Sequence, residues 1–282
     1  MCGFCGIVDL RGFPVPEAII SEMDLTLHHR GPDSAGVYNS GSAGLGHRRL
    51  RVIDLSALAD QPMPNEDQSL WLVCDGDIYN FKVLTSELKG RGHTFRSASD
   101  TEAILHLFEE KGPSCVKDLD GMFTFAVWDQ KKKRLFLVRD GLGSKPLYYY
   151  WDKRLFAFAS EIKALLKHPE IKREISLQAL PLYITYGYVP TPGSFYKNIF
   201  KMPPASFLIL EGDGKMEIKS YWDLDLSTVE PPPSEEEAMV RIRELLFKAV
   251  EKRLISDVPL GAFLSGGVDS SIVVGIMSKI MK

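Results

Sequence analysis

Over residues 1–210 the apolar positions fall into short strand-like runs broken by two helical stretches. Residues 16 to about 27 carry Ile19, Ile20, Met23 and Leu27 near helical spacing, and residues 100–111 carry Ile104, Leu105, Leu107 and Phe108 after a Ser99-Asp100 cap. Runs rich in β-branched and aromatic residues predict strands at 4–10, 70–74, 122–128, 135–138, 147–150, 156–159 and 206–210. Gly212-Asp213-Gly214 marks a turn into a further run at 216–221. No internal repeat or low-complexity tract is visible.

A second pattern begins after Val229-Glu230-Pro231-Pro232-Pro233, whose successive prolines predict a stiff, extended linker. Ser234-Glu235-Glu236-Glu237 matches a capping box. The helix it opens should run to about residue 254, with Ala238, Ile242, Leu245, Leu246 and Ala249 on one face. An apolar strand at 259–264, the loop Ser265-Gly266-Gly267-Val268-Asp269-Ser270-Ser271 and a last helix follow. Strand, glycine loop and helix in that order open an α/β nucleotide-binding domain. The expected domains are 2–212, a connecting segment 213–233, and 234–282.

The 282 residues are 45% hydrophobic and 25% charged, with net charge −3. That balance gives no electrostatic case for nucleic acid or an anionic membrane. No apolar run approaches the ~20 residues a bilayer requires, and no secretion signal opens the chain, so a cytoplasmic location is expected. Cys2-Gly3-Phe4-Cys5 has the C-x-x-C form, but no strand precedes it and no second Cys or His pair stands at zinc spacing. Cys5, Cys74 and Cys115 read as small buried apolar residues, and no metal site is expected.

Cys2 differs because only the initiator methionine precedes it. Removal of Met1 would put a thiol and a free α-amino group on one residue. An α-amino group titrates at about 7.7–8.0, near working pH, so it can serve as the base for the thiol. That is the N-terminal-nucleophile arrangement. The loop at 265–271 is equally specific: its glycines let backbone amides approach an anion at a helix N-terminus, and it lacks the lysine of a Walker A loop. Read more simply, it is a glycine turn with a helix cap.

S-G-G-x-D-S-S resembles the pyrophosphate loop of ATP pyrophosphatases. The whole chain resembles the glutamine-dependent asparagine synthetases, whose N-terminal half is a class II glutaminase. The matching segments are Met1-Cys2-Gly3, His29-Arg30-Gly31-Pro32-Asp33, Gly46-His47-Arg48-Arg49-Leu50, Asp75-Gly76-Asp77-Ile78-Tyr79-Asn80, Ser99-Asp100-Thr101-Glu102, Arg139-Asp140 through Lys145-Pro146-Leu147-Tyr148-Tyr149, Ser160-Glu161-Ile162-Lys163-Ala164-Leu165 and Asp257-Val258-Pro259-Leu260-Gly261. Glutaminases that feed sugars or nucleotide precursors share the Cys2 start but not the S-G-G-x-D-S-S module. The resemblance implies a four-layer αββα N-terminal-nucleophile sandwich, then the first unit of a parallel α/β ATP-pyrophosphatase domain. It also implies roles. Cys2 attacks the glutamine amide and forms a thioester. Arg49 grips the substrate carboxylate, while Asp77 and Asp100 take its amino group. Leu264, Ser265, Gly266, Gly267, Asp269 and Ser270 hold ATP, with Mg²⁺, to activate an aspartate that receives the ammonia. Without the family, Arg48, Arg49 and Arg51 read only as a basic strand face, and Asp100 as a helix cap.

The chain departs from the family pattern at Asp75-Gly76-Asp77, where Asn-Gly-Glu is usual. The family asparagine donates a side-chain N–H to the oxyanion beside the glycine N–H. Asp75 removes that donor and, if ionised, adds negative charge, whereas a protonated Asp75 could still donate but needs a strongly raised pKa. The loss of one oxyanion donor costs ~10²–10³ in rate. Asp77 keeps its charge but reaches one methylene less far. An impaired glutaminase is expected. The chain also stops about a dozen residues after the loop, so Phe263, Leu264, Ile272, Val273, Val274 and Ile276 should lack sheet neighbours. A separate synthetase half would complete the second domain, and a homodimer is a further partner left open. Two rival functions stay open: an amidotransferase acting on another carboxylate, and a glutamine- or partner-binding pseudoenzyme.

Overall fold

The computed structural model describes residues 1–227 and 233–281, and the expected proline-rich linker lies outside them except for Pro233. The chain divides into two compact units, residues 1–51 with 56–223, and residues 52–55 with 224–282.

The first unit contains strands β1 (Gly3–Asp9), β2 (Ser34–Ser40), β3 (Ala43–Arg49), β4 (Met63–Pro64), β5 (Leu70–Ile78), β6 (Gly121–Asp129), β7 (Arg134–Arg139), β8 (Tyr148–Trp151), β9 (Leu155–Ala159), β10 (Ile199–Lys201), β11 (Ser206–Leu210) and β12 (Met216–Ser220). Its helices are α1 (Glu17–Leu25), α2 (Phe81–Gly90), α3 (Asp100–Lys111), α4 (Ile162–Leu165) and α5 (Ala179–Tyr186). The strands form two six-stranded antiparallel sheets, ordered β10-β8-β9-β1-β3-β2 and β12-β11-β7-β6-β5-β4.

β1 shows why these strands stack in layers. Side chains alternate across a strand. Phe4 and Val8 join Phe156, Phe158, Val73, Trp128, Leu137 and Leu208 in a core between the sheets, while Cys5 and Ile7 join Ile20, Met23, Leu27, Ala164 and Leu165 beneath α1 and α4. α3 packs on the opposite side against β5, and the Phe108 ring lies 5.1 Å from that of Phe136, tilted by 33°. Helices, sheet, sheet and helices make the expected αββα sandwich.

Every predicted strand of this unit appears, but β5 runs four residues further than expected, to Ile78. β12 pairs residue by residue with β11, so the unit continues through Asp223 instead of ending at residue 212. The β2–β3 hairpin went unpredicted. Its strands are rich in glycine and polar residues, which hide the two-residue period, and Gly44 and Gly46 lie directly under Ile20 of α1. The helical capping of α3 comes from Ser99, whose hydroxyl accepts the Glu102 N–H at 3.4 Å.

In the second unit, α6 (Glu235–Lys252) begins at a capping box with both arms made: Ser234 Oγ accepts the Glu237 N–H, and the Glu237 carboxylate accepts the Ser234 N–H. α7 (Val268–Ile280) follows the glycine loop. Residues 259–264 do not form the expected strand, because no described segment of this unit offers them a pairing edge. Phe263 is fully exposed, and Leu264, Ile272 and Val273 are exposed as expected, whereas Ile276 is buried.

Candidate active site

Cys2 lies at the entry to β1, which pairs with β3 so that Gly3 faces Arg48. This register brings the Cys2 thiol to Leu50, just past the end of β3, and Sγ accepts the Leu50 N–H at 3.4 Å. Burial pushes the thiol up to about 11, and the neighbouring Asp75 pushes in the same direction. The resting group is therefore a thiol, and attack on a carbonyl needs a base.

β5 supplies the opposite wall. Its residues Asp75, Gly76 and Asp77 pair with Thr124, Phe123 and Met122 of β6. Gly76 can be nothing else here: a Cβ would stand 2.5 Å from the Met122 carbonyl oxygen and 2.7 Å from Phe123 Cα, both backbone atoms. The Asp75 carboxyl is 1% exposed, and burial raises its pKa. Arg30 donates to Asp75 Oδ2 at 2.8 Å, while Oδ1 has no hydrogen-bond partner.

Arg30 ties three parts of the site together. Besides Asp75, its Nε donates to the Cys2 carbonyl at 2.8 Å, and its Nη1 meets Glu161 Oε1 at 3.2 Å. Lys145 adds a second buried cation. Although burial pulls its pKa down, Asp75 and Asp77 hold it above the ordinary lysine value, and its Nζ is 3.5 Å from Asp77 Oδ2. The backbone around Lys145 is fixed by Asp140, whose carboxylate accepts the amides of Leu142, Ser144 and Lys145.

Arg49 and Arg48 do not share a face. β3 turns Arg48 onto Asp24, 2.5 Å away, and Arg49 onto Asp60, 2.7 Å away. Arg51, past the strand end, meets the same Asp60 at 3.0 Å. The basic strand face expected from these three residues is thus split by the pleat. Arg49 also donates to the Ser56 carbonyl at 2.8 Å, so its guanidinium is held in a defined pose. Asp100 is the first residue of α3, not its cap. Its carboxyl accepts the Ile78 N–H at 2.8 Å, and burial, with the nearby Asp77, pushes it up to about 7. Cys2, Asp75, Gly76, Asp77, Arg49 and Asp100 all belong to the first unit. Asp75 and Arg49 act electrostatically on Cys2, and Asp75, Asp77, Asp100 and Cys2 all act on Cys74.

Leu264, Ser265, Gly266, Gly267, Asp269 and Ser270 belong to the second unit. Gly266 adopts φ +82° with open space around it, and Ser265 Oγ lies 2.9 Å from Ser270 Oγ. Gly267 is the N-cap of α7, and no side chain caps the first helix amides.

Arg30, Lys145 and Glu161 were visible in the sequence only as members of matching motifs, with no role. The signal that points to Arg30 is Asp75 itself, since a carboxyl in a buried wall calls for a cation.

A family model described as a glutamine amidotransferase domain matches residues 1–222, and one described as asparagine synthase matches residues 241–282. "Asparagine synthetase [glutamine-hydrolyzing] 3" of Bacillus subtilis is 39% identical over 98% of this chain and 45% of its own length. "Amidase chry2" of Gibberella zeae is 32% identical over the full chain and 43% of its own length. The chain spans about half the length of the curated relatives it matches. Among solved structures, a glutamine phosphoribosylpyrophosphate amidotransferase from B. subtilis superposes with a TM-score of 0.58 at 17% identity, over 99% of this chain and 64% of that one. At that identity the likeness concerns the fold alone.

Proposed function

The chain belongs to the glutamine amidotransferase family over residues 1–222, and from that premise we propose that it hydrolyses glutamine at Cys2 and releases ammonia for an ATP-activated carboxylate. One observation carries the reading. The thiol of Cys2 sits beside a wall that holds a fixed arginine, a close-packed glycine and two buried carboxyls.

In the proposed reaction Met1 is removed and the freed α-amino group of Cys2 takes the thiol proton. A thiol at about 11 makes that base necessary at neutral pH. Sγ attacks the amide carbon, and the Gly76 backbone N–H faces the developing oxyanion. The C–N bond breaks, the proton moves from the amine to the leaving nitrogen, and ammonia departs. Water then cleaves the thioester and glutamate leaves. Arg49 holds the substrate carboxylate, a task suited to a planar guanidinium. Asp77 and Asp100 face the substrate amino group.

The substitution at residue 75 changes the energetics less than its charge alone would suggest. Arg30 pairs with Asp75 at 2.8 Å, and Lys145 adds a second positive charge nearby. The negative charge beside the oxyanion is offset, although the neutral amide donor of the family is still missing. Impaired, not absent, hydrolysis is the outcome this geometry favours.

For the second unit, the exposed glycine loop and the uncapped α7 amides fit the phosphates of ATP, with Mg²⁺ accompanying them. When bound there, ATP would activate a carboxylate as an acyl-adenylate and release pyrophosphate. Aspartate is the acceptor expected from the asparagine synthetase relatives. A second reading, a glutamine-binding protein without turnover, is favoured by Asp75 specifically.

Ammonia release from glutamine by the purified chain tests this, once mass spectrometry shows Met1 gone. The unmodified chain should exceed a Cys2→Ala control. Asp75→Asn should raise its rate by up to about 10²-fold, the low end of what one oxyanion donor contributes, and should lower the Cys2 thiol pKa. Release absent from both chains would defeat the proposal. Release from Asp75→Asn alone would favour the binding protein.

A further inference from the structure

Away from Cys2, four side chains from three segments of the first unit converge. Glu66 stands in the turn after β4, His93 in the connection between α2 and α3, and His106 and Glu109 on α3. Their ligating atoms all lie within 4.8 Å of one another. His106 Nδ1 is 2.7 Å from Glu109 Oε2 and 3.8 Å from Glu66 Oε1, and His93 Nδ1 is 3.6 Å from Glu109 Oε2. Both imidazoles thus turn Nδ1 inward.

Both also turn Nε2 outward onto a separate carboxylate. His93 Nε2 meets Glu110 Oε1 at 3.0 Å, and His106 Nε2 faces Glu102 Oε1 at 3.7 Å. His106 is 2% exposed, and its Nε2 makes no hydrogen bond at that separation. A histidine that binds a metal through one ring nitrogen characteristically gives the other to a carboxylate, which orients the ring. The backing groups are themselves fixed: Glu102 accepts the amides of Arg96 and Ser97 and the Ser97 hydroxyl. Asn65 takes Glu109 Oε1 at 2.7 Å and leaves Oε2 for the cluster.

We propose that Glu66, His93, His106 and Glu109 form a tetrahedral site for a divalent borderline cation, Zn²⁺ in the first instance. Zinc bonds of about 2.0–2.2 Å set tetrahedral ligand atoms roughly 3.3–3.6 Å apart. Three of the six gaps, 2.7, 3.6 and 3.8 Å, bracket that edge, and all six lie within 4.8 Å. Binding displaces to solvent the proton that the Glu102 and Glu109 carboxylates favour on His106, and two neutral imidazoles with two carboxylates then cancel a double positive charge. The mixed nitrogen and oxygen set suits zinc better than magnesium or calcium, which prefer oxygen throughout. Glu66 and Glu109 also border an open cleft of about 480 Å³. A bound ion would pin the middle of α3, the helix that begins with Asp100, to two loops.

The test is titration of the reduced, chelator-treated full chain with Zn²⁺, then with Co²⁺ as a spectroscopic stand-in. One ion should bind per chain, and Co²⁺ should give tetrahedral d–d bands without a thiolate charge-transfer band. His93→Ala and Glu66→Gln, both at the rim, should each weaken binding at least tenfold while the far-UV circular dichroism stays unchanged. Glu110→Gln should weaken it by about 10- to 100-fold, as loss of an orienting carboxylate does. Cys2→Ala should leave it intact. Absence of binding, affinity untouched by His93→Ala and Glu66→Gln, or a thiolate band that vanishes in Cys2→Ala would each overturn the site.

Discussion

The two units bury their apolar residues in different measure. In the first, each face of the β1 sheet meets its own cover, the second sheet on one side and α1 with α4 on the other. In the second, α6 and α7 form and touch, but Ile242, Leu245, Phe263, Leu264 and Val268 remain exposed. Helices close their own hydrogen bonds and need only local signals, here a capping box and a glycine loop. A strand needs a partner, and residues 259–264 have none among the described residues of their unit. The lesson is that secondary structure and burial separate wherever cover is lacking.

The largest expected effect comes from removing one phenylalanine from each unit. Phe156 in β9 is fully buried and packs its ring against Tyr149, Trp151 and Phe158. Phe156→Ala should cost about 3–5 kcal/mol, as core phenylalanine truncations do. Phe263→Ala should stay within about 0.5 kcal/mol, because its side chain has nothing to lose. Urea unfolding of both variants checks this. A cost for Phe263→Ala near that of Phe156→Ala would mean its ring is covered in solution, and the contrast between the units would fail.

Next in size is a pH effect confined to the first unit. His47 on β3 is wholly buried, with Nε2 at 2.9 Å from the Cys74 carbonyl oxygen. Burial pushes its pKa down to about 4. The unfolded chain takes up a proton below about pH 6.5, and the folded chain refuses it until about pH 4. The stabilising contribution of the neutral imidazole is therefore complete above about 6.5 and is lost as pH falls from there to about 4. A shift of this size amounts to about 3 kcal/mol. Urea midpoints at about pH 7.5 and pH 4.5 should fall more steeply with acid for the unmodified chain than for His47→Asn. Equal falls would remove His47 as the cause.

How much of this was legible in the sequence divides along the same line. Both helices predicted in the first 210 residues are present, as are its strands, because their apolar residues follow periods of 3.6 or 2. The β2–β3 hairpin escaped because Gly44, Gly46, His47, Arg48 and Arg49 carry no visible alternation, although the pleat sends Arg48 to Asp24 and Arg49 to Asp60. α2 buries Phe81, Leu84 and Leu88 at helical spacing, a stripe of only three residues that carries little periodic signal. At the candidate site the residues came from motif resemblance. The compensation did not, because Arg30 and Asp75 stand 45 residues apart and only the sheet packing joins them. A carboxyl read in isolation is a liability, and its partner is a fact of tertiary structure.

The smallest effect tests the helix caps, which both units possess. Ser99 caps α3 inside the packed sandwich, and Ser234 caps α6 at an exposed end. Each hydroxyl accepts one helix amide, from Glu102 and Glu237 respectively. Replacing either serine by alanine should cost about 1 kcal/mol. The same loss should appear in different places. Ser99→Ala should lower the global urea midpoint of the first unit, because α3 cannot fray without exposing Ile104 and Leu105. Ser234→Ala should leave that midpoint unchanged and reduce hydrogen-exchange protection of the α6 amides by roughly fivefold, the factor that 1 kcal/mol represents for a local opening. If Ser234→Ala instead moved the global midpoint, α6 would unfold together with the first unit, and the two units would be one cooperative body.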